Sequence, residues 1–248
     1  METMIKFIIA TALLLSTSLY AAATPITARA WLVADENGKI LEGVNTGDVR
    51  SIASITKLIT VMTVLDGNQP LDEIISTKLY RKQLSRRMLM EMAIVKSDNN
   101  AATILCEQYT GGYYECLHMM NRKAQELEMF DTRLLDSTGL RSENVSTPTD
   151  LLKLVQAASN YPFIVETSKL SNIKLQTKKN KWITLHNTNP LVGHGYDFIV
   201  SKTGFINKSG GCIVMKLNTL HGVRTVVLLG SKNTRTRIPE AALISKLY

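Results

Sequence analysis

Residues 51–65 form an almost unbroken apolar run, SIASITKLITVMTVL, in which the polar positions follow a helical period. Thr56, Thr60 and Thr63 recur at i, i+4 and i+7, whereas a strand would place the first and last of them on opposite faces. The run is also longer than a usual strand and contains neither Gly nor Pro. We therefore predict a buried helix that is apolar over most of its circumference and ends near Asp66.

Short runs rich in β-branched residues occur at both ends of the chain. Residues 28–34 and 39–44 flank Asn37-Gly38, a dipeptide that strongly favours a hairpin turn. In the last third, Gly, Asn and Ser turns separate three further predicted strands, at residues 198–203, 211–217 and 223–230. A closing helix is predicted over residues 239–247.

Helical patterns fill the middle of the chain. They cover residues 85–95, a segment that begins at residue 101, residues 113–129, and residues 149–158, the last with Thr147 as cap and Pro148 at its first position. Residues 71–85 and 136–148 are polar and irregular. Strands at both ends around a helical block predict an α+β fold: an antiparallel sheet built from the two chain ends and flanked by helices, with an inserted all-helical lobe at about residues 67–160.

The N-terminus has the organisation of a secretory signal. Lys6 precedes an apolar run over residues 7–15, and Ala21-Ala22-Ala23 offers a small-x-small cleavage site. A membrane anchor is the weaker alternative, because hydroxyl residues interrupt a segment that falls short of about 20 apolar residues. Residues 1–23 are therefore predicted to be a signal peptide, and residues 24–248 a single exported, soluble domain without a stable membrane anchor.

Charge and cysteine content narrow the function classes. The net charge of +8 suits an anionic partner, but Lys and Arg are scattered without a long basic run, which argues against nucleic acid. No Cys/His spacing is typical of zinc, so no metal is expected. Of the three cysteines, Cys106 and Cys116 flank a Gly-Gly turn and could meet, although three buried thiols are the default interpretation.

Candidate chemistry lies at the start of the buried helix. Ser54 and Lys57 are three residues apart, which on a helix places their Cβ atoms about 5–6 Å apart on one face. A neutral lysine there can take the proton of a serine that attacks a carbonyl. Ser54 would lie in the first helical turn, where free backbone N–H groups favour developing negative charge. Alone this spacing is weak, since residues 171–174 match it too.

Two more short motifs make the Ser54–Lys57 spacing more specific. Ser97-Asp98-Asn99 falls in the break between two predicted helices, and Lys202-Thr203-Gly204 ends a predicted strand. In this order the three motifs are those of penicillin-binding proteins and class A β-lactamases. The sequence therefore resembles the serine DD-peptidases, specifically the low-molecular-mass penicillin-binding proteins of the D-alanyl-D-alanine carboxypeptidase and endopeptidase family. Residues 186–192 (HNTNPLV) and 201–206 are similar to its exported DD-endopeptidase branch, and the likeness extends over residues 30–230.

The resemblance implies a role for each reacting group. Ser54 becomes the acylated nucleophile, Lys57 its general base, and Ser97 the group that passes the proton to the leaving amine. The backbone N–H groups of Ser54 and Phe205 would form the oxyanion hole. Lys57 must then be neutral, and we expect both burial and the like charge of Lys202 to lower its pKa.

The resemblance likewise implies the substrate contacts. Asn99 would hold the substrate amide, and Lys202 would supply positive charge near Ser97 and the substrate carboxylate. Thr203 would bind that carboxylate or the neighbouring carbonyl, and Gly204 would let the substrate lie against the strand edge as an added strand.

The implied activity is acyl transfer on peptidoglycan stem peptides in the periplasm, without a cofactor, and with β-lactams as covalent inhibitors. Endopeptidase action is favoured over carboxypeptidase action by residues 186–192. A β-lactamase is one alternative, although residues 137–147 lack the Glu-x-x-Leu-Asn loop of class A enzymes despite Glu143-Asn144. A catalytically silent wall-binding protein is another.

The sequence departs from the family pattern in two places. The segment between Ser54 and Ser97 is short, with loss around residues 74–84, and no second β domain or anchoring helix follows Tyr248.

Overall fold

The computed structural model describes residues 26–77, 82–176 and 181–248, so the predicted signal peptide lies outside the described residues. A central antiparallel sheet has the strand order β2-β1-β11-β10-β9, and three two-stranded pairs surround it: β3-β6, β4-β5 and β7-β8. The strands are β1 (Ala30–Ala34), β2 (Ile40–Val44), β3 (Arg50–Ser51), β4 (Ile74–Thr77), β5 (Lys82–Ser85), β6 (Val145–Ser146), β7 (Asn172–Gln176), β8 (Trp182–His186), β9 (Asp197–Ile206), β10 (Gly210–Thr219) and β11 (Gly222–Ser231).

Helices pack on both faces of this sheet. A 3₁₀ turn (Ala53–Ile55) leads into the first helix, and a π-helical turn (Met92–Lys96) follows the second. The α-helices are α1 (Thr56–Asp66), α2 (Arg86–Glu91), α3 (Asn99–Glu107), α4 (Gly112–Glu126), α5 (Pro148–Ala158), α6 (Pro162–Ser168) and α7 (Arg237–Leu247). The predicted α+β class, with a sheet drawn from both chain ends, is confirmed.

The sheet joins the two ends of the sequence because β1 pairs with β11. Ala30 lies opposite Leu229, and Ala34 lies opposite Thr225, so the first described strand is held by the last. Every residue of β1 is buried, since both of its faces are covered. Ala30, Leu32 and Ala34 on one face share a hydrophobic cluster with α1 and α5, and Trp31 and Val33 on the other face share one with α7. β9 forms one edge of the sheet.

The predicted buried helix is α1, and its side chains are buried from Thr56 to Val64. One expectation was wrong: Ser54 lies in the 3₁₀ turn before the α-helix rather than in its first turn. Ala53 has a positive φ of 45°, a conformation that a side chain disfavours and that turns the chain sharply out of β3. The hydroxyls of Thr56 and Thr60 bond to the backbone carbonyls of Ala53 and Ser137, which offsets the cost of burying them, whereas the Thr63 hydroxyl is buried without a partner among the described residues.

Several elements were not predicted. Residues 71–85, interpreted as irregular, contain the β4–β5 pair, where Ile74 is exposed and Ile75 is buried. The β7–β8 pair and α6 were also missed. These segments are short, so their hydrophobic periodicity covers too few residues to be recognised. The helix predicted over residues 85–95 divides into α2 and the π-helical turn.

The default of three buried thiols was wrong: Cys106 and Cys116 form a disulfide that joins α3 to α4, while Cys212 is a buried free thiol. The Gly111-Gly112 turn, with both residues at positive φ, brings the two helices back against each other. Both sulfurs are buried beside Met120. The bridge therefore stabilises the helix pair that begins at Asn99.

Removing this disulfide is expected to lower the free energy of unfolding by about 2–3 kcal/mol, because the bond closes a short loop in the unfolded chain. The measurement is urea unfolding of wild type and of the Cys106→Ala, Cys116→Ala double variant, each with and without reductant. Reductant should destabilise the wild type alone. Equal stability of the wild type with and without reductant, after thiol titration confirms reduction, would contradict a stabilising bridge.

Among the described residues, no helix has both the length and the hydropathy needed to cross a membrane.

Candidate active site

Ser54 and Lys57 contact each other at the mouth of the buried helix. Lys57 Nζ lies 2.8 Å from Ser54 Oγ, 2.7 Å from Asn99 Oδ1 and 2.6 Å from the carbonyl oxygen of Thr138. The Lys57 side chain is fully buried. The amine is therefore fixed by α3 on one side and by the loop after α4 on the other, with the serine hydroxyl within reach.

The three partners of Lys57 indicate where its lone pair points when the amine is neutral. A carbonyl and an amide oxygen only accept hydrogen bonds, so the two N–H groups of a neutral amine go to Thr138 and Asn99. The lone pair then faces Ser54 Oγ, the one partner that can donate a proton. This arrangement suits proton transfer from the serine to the lysine.

Burial lowers the pKa of Lys57 to about 7, and the negative charges of Asp136 and Asp98 partly offset this effect by raising it. We expected the charge of Lys202 to lower the pKa of Lys57 as well, but it does not. The repulsion acts instead on Lys202, whose pKa is lowered well below its usual value by burial, by Lys57 and by Arg237. A large fraction of Lys57 is therefore neutral near neutral pH.

The carbonyl of Thr138 is held in place by a loop organised around Asp136. The carboxylate of Asp136 accepts hydrogen bonds from the backbone N–H groups of Thr138 and Gly139, both at 2.6 Å, and of Arg141 at 2.7 Å. The side-chain amide of Asn144 ties the same loop to α1 by donating to Thr56 Oγ1. Asp136 thus both positions an acceptor for Lys57 and raises the pKa of that lysine.

Ser97 ends the π-helical turn in the left-handed conformation, with φ 57° and ψ 37°. This costs free energy for a residue with a side chain, and such strain is concentrated at functional sites. Asp98 is the N-cap of α3, because its carboxylate accepts from Ala101 N. The Ser97 hydroxyl is therefore not used as a cap, and it accepts a hydrogen bond from Lys202 Nζ at 2.8 Å.

Lys202 brings β9 to this cluster. Its amine also donates to the carbonyl of Thr203 at 2.9 Å, and the side chain is buried. The sequence hypothesis required residues 54, 57, 97 and 202 to converge. The structure places them as two serine–lysine pairs, Ser54–Lys57 and Ser97–Lys202, close enough for the charge of Lys57 to act on Lys202.

The rest of the Lys-Thr-Gly motif lies beside Ser54. Thr203 is buried, and its hydroxyl donates to Thr188 Oγ1 at 2.6 Å. A Cβ atom on Gly204 would lie 3.0 Å from Ser54 N and 2.9 Å from the carbonyl of Ile52. Glycine is required here because the strand packs against the 3₁₀ turn, a reason that the sequence hypothesis did not include. Phe205 follows, with a side chain that is 40% exposed.

Some residues of this site were not found from the sequence. Residues 136–148 were predicted only to be polar and irregular, and no position among them was assigned a function, although Asp136 and Thr138 organise the contacts of Lys57. Arg237, at the start of α7, donates to the carbonyl of Gly204 at 2.6 Å. Its position more than thirty residues beyond the motif gave no local signal. Within the described residues, no group of three or more His, Cys, Asp or Glu is placed to hold a metal.

Replacing Gly204 by alanine is expected to slow acylation by a labelled penicillin by about tenfold, since the new methyl group displaces Ser54 N, and a fully lost oxyanion donor costs about 10²–10³. Gly47 is the matched control, because a Cβ atom there would contact nothing within 4 Å. Stopped-flow labelling of both alanine variants measures the difference. Equal rates for Gly204→Ala and Gly47→Ala would show that the close approach has no effect on the reaction.

Comparison with known proteins gives a consistent result. The model of the family described as D-alanyl-D-alanine carboxypeptidase, peptidase S11, matches residues 17–78 and 72–233. The chain is 34% identical over 232 residues to the D-alanyl-D-alanine endopeptidase of Pseudomonas aeruginosa, which covers 87% of this chain and 75% of that relative. It is 39% identical over 185 residues to the D-alanyl-D-alanine endopeptidase of Escherichia coli, which covers 68% of this chain and 59% of that relative.

Solved structures agree in fold. Penicillin-binding protein D2 from Listeria monocytogenes, in its cefotaxime-bound form, has a TM-score of 0.77 and 25% identity, covering 89% of this chain and 96% of its own. The DD-transpeptidase of Streptomyces K15 has a TM-score of 0.81 and 23% identity, with the same two coverages, and shows the fold alone.

Proposed function

The chain belongs to the D-alanyl-D-alanine carboxypeptidase family, peptidase S11, and we propose that it is an exported serine DD-endopeptidase that cleaves peptidoglycan stem peptides through an acyl-serine intermediate. The observation that carries this proposal is the pair of serine–lysine contacts in one cleft. Each serine has a lysine amine at hydrogen-bond distance, and burial lowers the pKa of both lysines.

In the acylation step, neutral Lys57 takes the proton of Ser54 as Oγ attacks the carbonyl carbon of a D-alanine. The new C–O bond turns the carbonyl oxygen into an oxyanion. The backbone N–H groups of Ser54 and Phe205 are the donors that we assign to it, consistent with the close approach of Gly204 to Ser54 N. The positive φ of Ala53 fixes the turn that carries Ser54 N.

The tetrahedral intermediate then loses its amine. The C–N bond breaks, and the leaving nitrogen takes the hydroxyl proton of Ser97, which is held by Lys202; the proton that Lys57 accepted from Ser54 replaces it, so Lys57 is neutral again. The leaving group is the amine of a cross-linked peptide, or D-alanine in a carboxypeptidase turnover. Water hydrolyses the ester and regenerates Ser54. Asn99, whose amide oxygen is held by Lys57, is left with an N–H₂ group that can donate to the substrate.

Lys202 and Thr203 are assigned to the substrate carboxylate. Burial disfavours the charged form of Lys202, so its pKa is lowered well below the usual value. The negative charge of a substrate carboxylate acts in the opposite direction and raises that pKa again. The proposed binding step is therefore coupled to proton uptake by Lys202, and the hydroxyl of Thr203 completes the contact.

Endopeptidase rather than carboxypeptidase action is favoured by two observations. The relatives from Pseudomonas aeruginosa and Escherichia coli are D-alanyl-D-alanine endopeptidases, whereas the carboxypeptidase DacF of Bacillus subtilis is 24% identical. Residues 186–192, which carry the sequence likeness to the endopeptidase branch, lie at this cleft, with Thr188 bonded to Thr203 and Asn189 bonded to Ser201. Export to the periplasm is proposed from residues 1–23 alone.

The class A β-lactamase alternative requires a carboxylate that activates water for deacylation. Glu143 is exposed, accepts a hydrogen bond from Ser142 and lies near Arg141, so its carboxylate is occupied by contacts at the surface of the protein. Asp136 is saturated by backbone N–H groups, and Asp98 caps α3. This arrangement favours a long-lived penicilloyl enzyme over rapid β-lactam turnover.

Digestion of purified sacculi tests the proposal. Wild type should convert cross-linked dimers to monomers that still carry their terminal D-alanine, and the Ser54→Ala variant should leave the chromatogram unchanged. Loss of terminal D-alanine without loss of dimers would assign carboxypeptidase action instead. Identical profiles for wild type and Ser54→Ala would favour a silent wall-binding protein, and rapid penicillin hydrolysis would favour a β-lactamase.

A further inference from the structure

A basic pocket lies at the end of the sheet where β9 turns into β10. It has a volume of about 400 Å³, and its charged residues are Arg29, Arg50, Lys208 and Lys232, with no Asp or Glu in its lining. Arg29 lies just before β1 and Lys232 just after β11, so four separate segments bring positive charge to one cavity. Gly230 lines it too, and a Cβ atom there would lie 3.3 Å from Arg50 Nε.

The cations of this basic pocket have few direct partners, and the buried carboxylate of Glu240 behind the lining accepts from Thr27 and Ser231. Arg50 Nη1 lies 3.9 Å from Asp48, a long contact, and Arg50 Nε is buried without an acceptor among the described residues. Within the same described ranges, no ion pair involves Arg29, Lys208 or Lys232. Four cations in one cavity repel one another, and a buried unsatisfied donor carries a desolvation cost. Both costs are relieved by an anion with several acceptor oxygens.

The open edge of β9 connects this pocket to the nucleophile. On the N-terminal side of Gly204 the strand is covered: Lys202 bonds to Ser97, Thr203 bonds to Thr188, and α6 packs against the strand. On the C-terminal side, Phe205 and Lys208 are exposed. An extended peptide that pairs with the edge of β9 at the nucleophile can therefore continue in one direction only, toward the basic pocket.

The separation suits a few residues of peptide. Four residues separate Gly204 from Lys208, and four separate Ser54 from Arg50. β9 continues to Ile206, so at about 3.4 Å per residue a peptide paired with the strand covers roughly 7 Å beyond Gly204, and Lys208 lies in the turn that follows. A peptide added along β9 has the same rise, so the group that reaches the pocket lies two to four residues before the scissile bond.

From this geometry we infer that the basic pocket is a subsite for a carboxylate on the acyl side of the substrate, and that Arg50 and Lys208 are its specificity-determining residues. The inference rests on the proposed function. Arg50 offers a planar guanidinium with a free donor, which matches the two oxygens of a carboxylate, and Lys208 adds a charge at the open rim. In this subsite, part of the positive net charge of the protein contributes directly to substrate selection.

The test compares two cross-linked model peptides that differ only three residues before the scissile bond, where one carries glutamate and the other glutamine. The measured quantity is the ratio of their kcat/KM values for wild type, Arg50→Gln, Lys208→Glu and Lys39→Glu. Lys39 is an exposed control at the opposite end of β1 from Arg29, with the same change of charge. Labelling by fluorescent penicillin is recorded for every variant, because it reports on the nucleophile independently of the subsite.

Wild type should prefer the glutamate peptide by about tenfold, as expected for a charge-assisted hydrogen bond. Arg50→Gln and Lys208→Glu should reduce that ratio toward one through KM, and Lys39→Glu should retain it. Equal use of both peptides by wild type, or a ratio that Lys39→Glu changes as much as Lys208→Glu, would overturn the subsite. Absence of both peptide cleavage and penicillin labelling in wild type would instead overturn the proposed function.

Discussion

Replacing Lys57 by alanine is expected to slow acylation by a labelled penicillin by about 10²–10⁴-fold, the usual contribution of a general base. Ser54 has one amine at hydrogen-bond distance, and that amine faces it with its lone pair once two carbonyl-type acceptors hold its N–H groups. No other described group is bonded to Ser54 Oγ to take its proton. The measurement is the rate of covalent labelling under single-turnover conditions.

Two controls separate the base from a structural or electrostatic role. Lys57→Arg keeps a positive charge and its donors but cannot become neutral, so it should be as slow as Lys57→Ala if the proton transfer matters. Lys39→Ala removes an exposed lysine and should label at the wild-type rate. Thermal unfolding of each variant shows that the protein is folded. Normal labelling by folded Lys57→Arg or Lys57→Ala would reject Lys57 as the base.

The assignment of Lys57 as the general base also predicts how the acylation rate depends on pH. Burial lowers the pKa of Lys57 to about 7, and only the neutral amine accepts a proton. The acylation rate of the wild type should therefore rise with pH through about 7 and reach a plateau above it.

Replacing Asp136 by alanine is expected to destabilise the protein by about 3–5 kcal/mol, since hydrogen bonds to a charged group are worth about 1.5–3 kcal/mol each and do not add fully. The variant leaves the backbone N–H groups of Thr138, Gly139 and Arg141 without their acceptor. Gly139 packs closely against the 3₁₀ turn, since a Cβ atom placed on it would lie 1.9 Å from the carbonyl of Ala53, so the loop has little room to rearrange. Urea unfolding measures the loss, and an effect below 1 kcal/mol would contradict the role of this loop.

Asp136→Asn gives the catalytic readout, because it keeps one acceptor oxygen while it removes the charge. The negative charge of Asp136 raises the pKa of Lys57, so its removal should lower that pKa further and move the midpoint of the acylation profile to lower pH. Glu143→Gln removes the same charge from an exposed position on the same loop and should leave the midpoint in place. A midpoint that does not move in Asp136→Asn would show that Asp136 is structural alone.

The part of the site that the sequence predicts is the part encoded in short, ordered motifs. Ser54, Lys57 and Ser97 were found from the order of their motifs along the chain. The Lys202-Thr203-Gly204 motif was expected to end a strand over residues 198–203, whereas β9 continues beyond it to Ile206. The role of Lys202 as a contact of Ser97 followed from the resemblance, and the structure places it there. The helix α1 was predicted because the apolar run over residues 51–65 is too long for a usual strand.

The remainder depends on contacts between residues distant in sequence. Asp136 binds backbone N–H groups in an irregular loop that has no periodicity, and Arg237 reaches Gly204 from another element. The Cys106–Cys116 bridge depends on how tightly Gly111 and Gly112 turn the chain, which composition does not determine. Burial, which lowers the pKa of Lys57, could be inferred from the sequence. The two acidic neighbours that partly raise this pKa again could not, and Lys202 was expected to lower it but does not.

The most direct test of the central claim is the mass of the protein after brief exposure to a penicillin. The intact wild type should gain the mass of one penicilloyl group, and peptide mapping should place it on Ser54. Ser54→Ala should gain nothing, and Ser97→Ala should still be labelled on Ser54, more slowly. A single adduct on Ser97, on Cys212 or on any lysine would show that Ser54 is not the nucleophile.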